Sequence, residues 1–425
     1  MLSKSSSQLH QNAEPMKSAL VQSAFHKALL LFGQQFAIEI EGHAEKYQGL
    51  LGKLAFACAS GKTRQAREAQ TLIFRSFSAK LVCLVRSLDD GHGLTIEKVK
   101  SIAAQLNPFS DCGESVFAWA KEKSSGLGWR PICSFGPKRQ ALHRLVVDVL
   151  QARFGDDPIN YLSRGRGAET ASDRVVELYE KHAFSHFVTA DIQNFFRSVQ
   201  VGKVSKLIGL PEAIVKNCIL IGPTVPLSIG GGLPPGCTIK TLDGAVREGV
   251  PQGSRASQVV AAILLGPALR SVTSEERVIL HGDDITLAAQ HAGDATTLKK
   301  ALIETLESHP AGPFRIKHCE INTFQQGFNF LQYRHRRDPF TNRAYRHPAS
   351  KSYARYRQRV VRTFLTYKFS EAFKRTARYR YLWMKSFRRW KWICLSKLAL
   401  WQMTIDAMDE GLKKRAAFQK KFFHH

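Results

Sequence analysis

Two stretches decide how this chain is read: HFVTADI (His186–Ile192) and VILHGDDITLAA (Val278–Ala289). The first is a short apolar run that ends at an acid, the pattern of a buried strand with its carboxylate at the tip. The second holds two apolar runs around Gly282-Asp283-Asp284, the pattern of a tight hairpin whose turn carries both acids. Setting that hairpin beside the first strand gathers Asp191, Asp283 and Asp284 at one end of a sheet. Between the two stretches lies EGVPQGSRASQ (Glu248–Gln258), with a VPQG turn, and then VVAAILL (Val259–Leu265), which predicts a buried helix. Gly-Asp and Asp-Asp pairs are also ordinary turn residues, so the weight rests on the combination and its order.

Three carboxylates brought together repel one another unless cations fill the space between them. Hard oxygen ligands suit Mg2+, which keeps several waters and leaves room for substrate phosphates. A pair of such ions roughly 3.5–4 Å apart can activate an attacking hydroxyl and neutralise a leaving pyrophosphate. Asp191, Asp283 and Asp284 are therefore the expected catalytic acids and ligands of two Mg2+ ions, and the chemistry expected of them is nucleotidyl transfer.

In this order the motifs resemble those of bacterial reverse transcriptases, from about Gly126 to Tyr333. GLGWRPICSFGPKRQALHRLV (Gly126–Val146) is similar to the fingers block, which implies that Arg130 and Lys138 contact the incoming triphosphate or template. Asp191 matches the first catalytic Asp, with Ile192 beside it as a further metal contact. The PQG block implies that Gln252 and Gly253 shape the floor under the nascent base pair. HGDD (His281–Asp284) takes the place of the family's aromatic-x-Asp-Asp. Lys317 in RIKHCE resembles the substrate-side lysine of the next block, and GFNFLQY (Gly327–Tyr333) resembles the hairpin that holds the primer end.

The resemblance implies an α+β right-hand polymerase fold and an RNA-directed DNA polymerase that takes dNTPs, an RNA template and a DNA product. A GDD triplet also marks RNA-dependent RNA polymerases, but those generally carry a further Asp in the first block. Here Phe196 stands five residues beyond Asp191, after Phe195. A large ring there resembles a gate against the ribose 2′-hydroxyl, which would meet a clash and lose a hydrogen-bond partner. Phe195 reads as core. Three departures stand out: His281 where the family has Tyr or Phe, Gln258 after Ser257 where Ser-Pro is commoner, and GGGLPPGCTIKTLDGAVRE (Gly230–Glu248), which reads as a long mobile loop. The Ser-Gln pairing is shared with diversity-generating retroelement enzymes. Retron signature segments are absent, and the chain looks most like the unassigned bacterial group tied to antiviral defence, whose members work with a dedicated noncoding RNA. Untemplated or protein-primed DNA synthesis is the alternative activity, and a homo-oligomer or partner protein fits the same resemblance.

The 425 residues suffice for two or three lobes with a substantial core. The formal charge of +27 points to a polyanionic partner. No apolar run reaches the roughly 20 residues of a membrane span, and the first residues lack a signal-peptide core, so a cytoplasmic protein with no membrane partner is expected. Eight scattered cysteines show no CxxC spacing and read as reduced core thiols rather than a zinc site. Ser60-Gly61-Lys62-Thr63 mimics the end of a P-loop, but Phe56 stands where its leading Gly belongs, so it reads as a turn between helices.

Residues 1–18 form a polar tail expected to be disordered, 19–106 a helical extension, 107–345 the fingers and palm, and 346–425 a basic helical thumb. Beyond Lys351 the only acids are Glu371, Asp406, Asp409 and Glu410. Tyr379, Leu382, Trp383, Ser386, Phe387, Trp390, Cys394 and Trp401 recur at helical spacing and read as a helix–helix seam. Arg378, Arg380, Lys385, Arg388, Arg389 and Lys391 fall mostly off that stripe and are the expected nucleic-acid contacts, a face with one sign of charge.

Overall fold

The computed structural model describes residues 6–89, 92–123, 128–163, 165–387 and 394–423. In chain order the elements are α1 (Ser6–Phe32), α2 (Gln34–Ala59), α3 (Thr63–Arg75), α4 (Phe77–Val85), α5 (Ile96–Gln105), β1 (Val116–Glu122), β2 (Trp129–Phe135), α6 (Pro137–Phe154) and α7 (Ala168–His182). Then come β3 (His186–Ile192), α8 (Phe195–Ser198), α9 (Val201–Ile208), α10 (Glu212–Cys218), β4 (Leu227–Ile229), α11 (Ile239–Arg247) and α12 (Arg255–Val272). The chain closes with β5 (Val278–His281), β6 (Asp284–Ala289), α13 (Ala292–Glu307), β7 (Ile316–Thr323), β8 (Phe328–Phe330), β9 (Tyr333–Arg337), β10 (Ala344–Pro348), α14 (Ser350–Thr366), α15 (Phe369–Ser386) and α16 (Cys394–Phe423). These fall into two compact units, one of residues 1–158, 192–271 and 303–316, the other of 159–191, 272–302 and 317–425.

The first unit holds α1 to α5, and α1 begins at Ser6, within the stretch expected to be a disordered tail. Helix α2 turns Phe36, Ile40, Ala44, Tyr47 and Leu54 inward, and α4 buries Leu81 to Val85 without a break. Helices α3 and α4 are separated at Ser76, whose hydroxyl accepts from the Ala79 N–H and caps α4. Ser60 to Thr63 is the turn between α2 and α3, with Gly61 at φ 67°. Strand β1 pairs antiparallel with β2, from Val116↔Phe135 to Glu122↔Trp129, and parallel with β4. Its inward side chains Val116 and Ala118 join Cys133, Phe135, Leu242 and Val246 in one core.

That core draws on α11, which overturns the reading of Gly230–Glu248 as one long loop. Thr238 and Thr241 form a reciprocal capping box, and Leu242, Ala245 and Val246 supply the buried face of a helix ending at Arg247. Only the Gly/Pro-rich half stays irregular. Helix α12 is buried over most of its length, as expected.

The second unit carries a four-stranded sheet in the order β5-β6-β3-β7 and a three-stranded sheet in the order β10-β9-β8. Phe187, Ile279 and Ala288 pack under Ala171, Val175 and Leu178 of α7, with Phe324, Phe328 and Phe330. The Gly327–Tyr333 stretch forms the expected hairpin, with Phe330 paired to Tyr333 and Leu331 at φ 57°. In α14 to α16, Tyr356, Val360, Phe364, Trp383, Phe387, Leu400 and Ala407 make a helical core with Tyr333, whose hydroxyl donates to the Ser386 carbonyl at 2.8 Å.

The seam reading of the aromatic stripe holds for one side only. Trp383 and Phe387 are buried, whereas Leu382 and Trp401 are 47% and 42% exposed. Seven of the cysteines carry free thiols, four of them buried. Among the described residues no helix is long and apolar enough to cross a membrane.

Candidate active site

Strand β3 is covered on both faces, with Phe187, Val188 and Ala190 buried, and Asp191 is half-buried at the strand's end. Register does the rest. Strand β3 pairs with β6 so that Asp191 faces Asp284, and β5 pairs with β6 so that His281 faces Asp284 from the other side. The turn between β5 and β6 is the two residues Gly282 and Asp283, with φ 71° at Gly282, the position a type II′ hairpin reserves for glycine. The expected turn therefore holds one acid rather than two, since Asp284 opens β6. Strand β5 is anchored on its outer side by Leu280, whose N–H donates to Ile159 O at 2.9 Å and whose carbonyl accepts from Tyr161 N–H at 2.8 Å.

The three acids thus share one end of one sheet, all half-buried. Their donor chemistry, hard carboxylate oxygen, suits Mg2+, and two of them stand opposite each other in the ladder, where like charges are unfavourable unless compensated. Their side chains are not gathered into a ready-made cage: among the described residues no three His, Cys, Asp or Glu side chains come together in a set that could hold a metal ion. Burial pulls the His281 imidazole below its ordinary range. Ile192 is buried, and Lys317 lies exposed at the start of β7.

In the other unit the PQG turn is threaded between two segments. Val250 N–H donates to the Phe196 carbonyl at 2.7 Å, and the Gln252 carbonyl accepts from Cys133 N–H of β2 at 2.8 Å. Gly249 and Gly253 have φ of 60° and 114°, and a Cβ on either would lie 2.1 Å from a backbone oxygen, of Phe196 and Cys133 respectively. Only glycine fits at both places. The Ser257 hydroxyl closes the turn by donating to Pro251 O at 2.7 Å. Phe195 is buried against Phe314, as its reading as core implies, while Phe196 is half-buried.

Arg130 is exposed on β2, directly opposite Lys121 of β1. Sequence reading passed over Lys121, because only the strand register puts the two cations side by side. Lys138 sits half-buried in the first turn of α6, its N–H donating to Glu114 at 3.2 Å. Its neighbour Arg139 is structural: it is 2% exposed and bridged to Asp111 at 2.6 Å. Also unforeseen is a contact of Arg197 on Glu248, whose Oε2 accepts from both Nε, at 2.8 Å, and Nη2, and which ties the residue after Phe196 to the start of the segment that carries the PQG turn.

In the C-terminal helices Arg378 and Lys385 are exposed, as a nucleic-acid contact requires. Arg380 is committed elsewhere, with its guanidinium 3.9 Å from the centre of the Trp401 ring. Arg388, Arg389, Trp390 and Lys391 lie outside the described residues.

No protein-family profile matches the chain, and no curated protein matches it. Among solved structures it is similar to the insertion-loop deletion mutant of the RNA-dependent RNA polymerase of a human picobirnavirus, at 15% identity with a TM-score of 0.34. The match covers 52% of this chain and 44% of that one, so it spans less than half of that polymerase chain. A likeness of that extent carries no argument about function.

Proposed function

We propose that the protein is an RNA-templated DNA polymerase. The observation that carries this reading is the register that sets Asp191 against Asp284, with Asp283 beside them in the turn. Like charges directly opposite in a ladder are unfavourable, and cations that arrive with substrate would offset that cost. Asp191, Asp283 and Asp284, with the Ile192 backbone alongside, would hold two Mg2+ ions, which would supply activation of the hydroxyl and neutralisation of pyrophosphate.

The chain's own residues position the reactants. Arg130, with Lys121 opposite, and Lys138 draw in the triphosphate, and Lys317 contributes from β7. The Gln252-Gly253 backbone, held by Cys133, forms the floor under the base pair. Phe196, fixed through its carbonyl, excludes the 2′-hydroxyl and so favours deoxynucleotides. The primer 3′-oxygen attacks the α-phosphorus, a phosphodiester forms, the bond to pyrophosphate breaks, and the hydroxyl proton passes to water. No side chain becomes covalently bound, and the rate comes from placement and electrostatics. The exposed cations Arg378 and Lys385 hold template or hybrid, and the overall charge of +27 favours that partner. The biological setting best supported by the motif pattern is antiviral defence with a dedicated noncoding RNA as template.

The test is primer extension on RNA with Mg2+, offering dNTPs or rNTPs, and sequencing of the product. DNA complementary to the template is expected, and Asp191→Asn, Asp283→Asn or Asp284→Asn should each lower incorporation by about a hundred- to a thousandfold. Equal use of rNTPs would overturn the DNA assignment. DNA unrelated to the template would overturn templated synthesis, and undiminished activity in the Asp variants would overturn the site.

A further inference from the structure

Helix α15 carries a second aromatic row, which touches the core where the Phe369 ring meets Phe364 edge-on with centres 5.9 Å apart. Phe369, Phe373, Ala377 and Tyr381 follow one another at four-residue intervals, which puts them along one side of a helix. Such a row usually faces a core, but here all four residues are exposed, Phe369, Phe373 and Tyr381 to 56%, 48% and 65%. The rings of Phe369 and Phe373 lie within 23° of parallel with centres 6.3 Å apart. The helix's buried residues Ala372, Thr376 and Trp383 face the core instead.

The charge around this row has one sign. Lys368, Lys374 and Arg378, each next to a residue of the row in the sequence, are exposed, as is Arg362 on α14. The carboxylate of α15, Glu371, is paired with Arg375 at 2.6 Å, and the Arg375 guanidinium sits 4.1 Å from the centre of the Tyr367 ring.

We propose that this face of α15 is a stacking platform for the unpaired bases of a single-stranded nucleic acid. Flat rings open to solvent offer a surface to any base, and the flanking cations Lys374 and Arg378 follow the phosphates, the combination by which sequence-tolerant single-strand binders work. A duplex keeps its bases stacked on one another and offers only its backbone, so it uses the cations and not the rings. A second copy of the chain is a poor occupant, since two bodies each bearing +27 repel. The inference rests on the reading of the C-terminal region as a nucleic-acid surface, and it does not depend on polymerase chemistry.

The experiment is fluorescence anisotropy of the full chain with a labelled twelve-nucleotide oligo(U) and with a twelve-base-pair RNA–DNA hybrid, at several salt concentrations. Primer extension is run on the same samples, so that a failed polymerase reading registers separately. F369A/F373A should weaken oligo(U) binding about tenfold or more per lost ring, with the salt slope unchanged and hybrid binding altered less than twofold. K374Q/R378Q should weaken both ligands and flatten the salt slope. F369L/F373L keeps apolar volume against Phe364 and guards against a folding defect, and it should behave like the alanine pair. Full affinity in the leucine variant, or in both, would overturn the proposal. So would equal loss on oligo(U) and hybrid, or an assembly of wild-type copies that the alanine pair disperses.

Discussion

Asp148 and Asp284 are both sheltered carboxylates, and the chain surrounds them in opposite ways. Asp148 on α6 accepts from Arg86 at 2.9 Å and from the Tyr47 hydroxyl at 3.2 Å, with the Cys83 thiol 3.9 Å away. Burial and the adjacent Asp148 push the Tyr47 phenol well above its usual range and the Cys83 thiol up to about 12, so both stay protonated as donors. Asp284 instead faces Asp191 across one ladder and His281 across the other. One carboxylate is set against a cation and two protonated donors, and the other is set by strand register against a second carboxylate and an imidazole.

The largest effect that can break this comparison is a pair of isosteric changes. Asp148→Asn strands the Arg86 charge, whose side chain is only 14% exposed, and removing one partner of a buried pair destabilises by about 3–5 kcal/mol. Asp284→Asn relieves the facing carboxylates and should leave stability unchanged or raise it by about 0.2–1 kcal/mol, while incorporation collapses. Denaturant midpoints of both variants decide the matter. A destabilised Asp284→Asn would show that the sheet-end acids serve the fold.

Acid titration sharpens the same contrast at a smaller scale. His143 in α6 and His335 in β9 are buried, and burial first, then the neighbouring Arg139 and Arg346, pulls each imidazole down to about 3. Below the unfolded value of 6.5 the unfolded chain binds protons that the native chain refuses. Stability is therefore full above pH 6.5 and lost as pH falls toward 3. Between pH 7 and pH 5 each histidine should remove about 2 kcal/mol. His335→Asn should abolish one histidine's share, read as the difference in denaturant midpoint between the two pH values. An unchanged difference would refute burial as the cause.

What could be read from the sequence follows the range of the interactions. The strand ending at Asp191 and the Val278–Ala289 hairpin were legible because apolar runs and a Gly-Asp turn are local signals. Helix α11 was not, because the glycines and prolines before Thr238 hid a capping box that marks its start. The α15 aromatics were legible as a helix but not as a surface, since spacing alone does not say which row meets the core. Lys121 beside Arg130, and Asp148 beside Arg86 and Tyr47, depend on segments brought together by the fold.

The Arg197–Glu248 pair tests where the comparison stops. Its carboxylate is 54% and its guanidinium 33% exposed, so in water the pair is worth about 0–1 kcal/mol, and Glu248→Gln should barely move the denaturant midpoint. The same pair brackets the bond from Val250 N–H to the Phe196 carbonyl and so fixes the segment that carries the ring. Loosening it should let the ring retreat from a 2′-hydroxyl. The expected result is a several-fold rise in ribonucleotide use relative to deoxynucleotide use, through KM for the ribonucleotide rather than through kcat for dNTPs. The charge-swapped pair Arg197→Glu with Glu248→Arg should restore selectivity. If Glu248→Gln leaves the ratio untouched, an ion pair beside the PQG turn is ordinary surface, and orientation of Phe196 rests on the backbone bond alone.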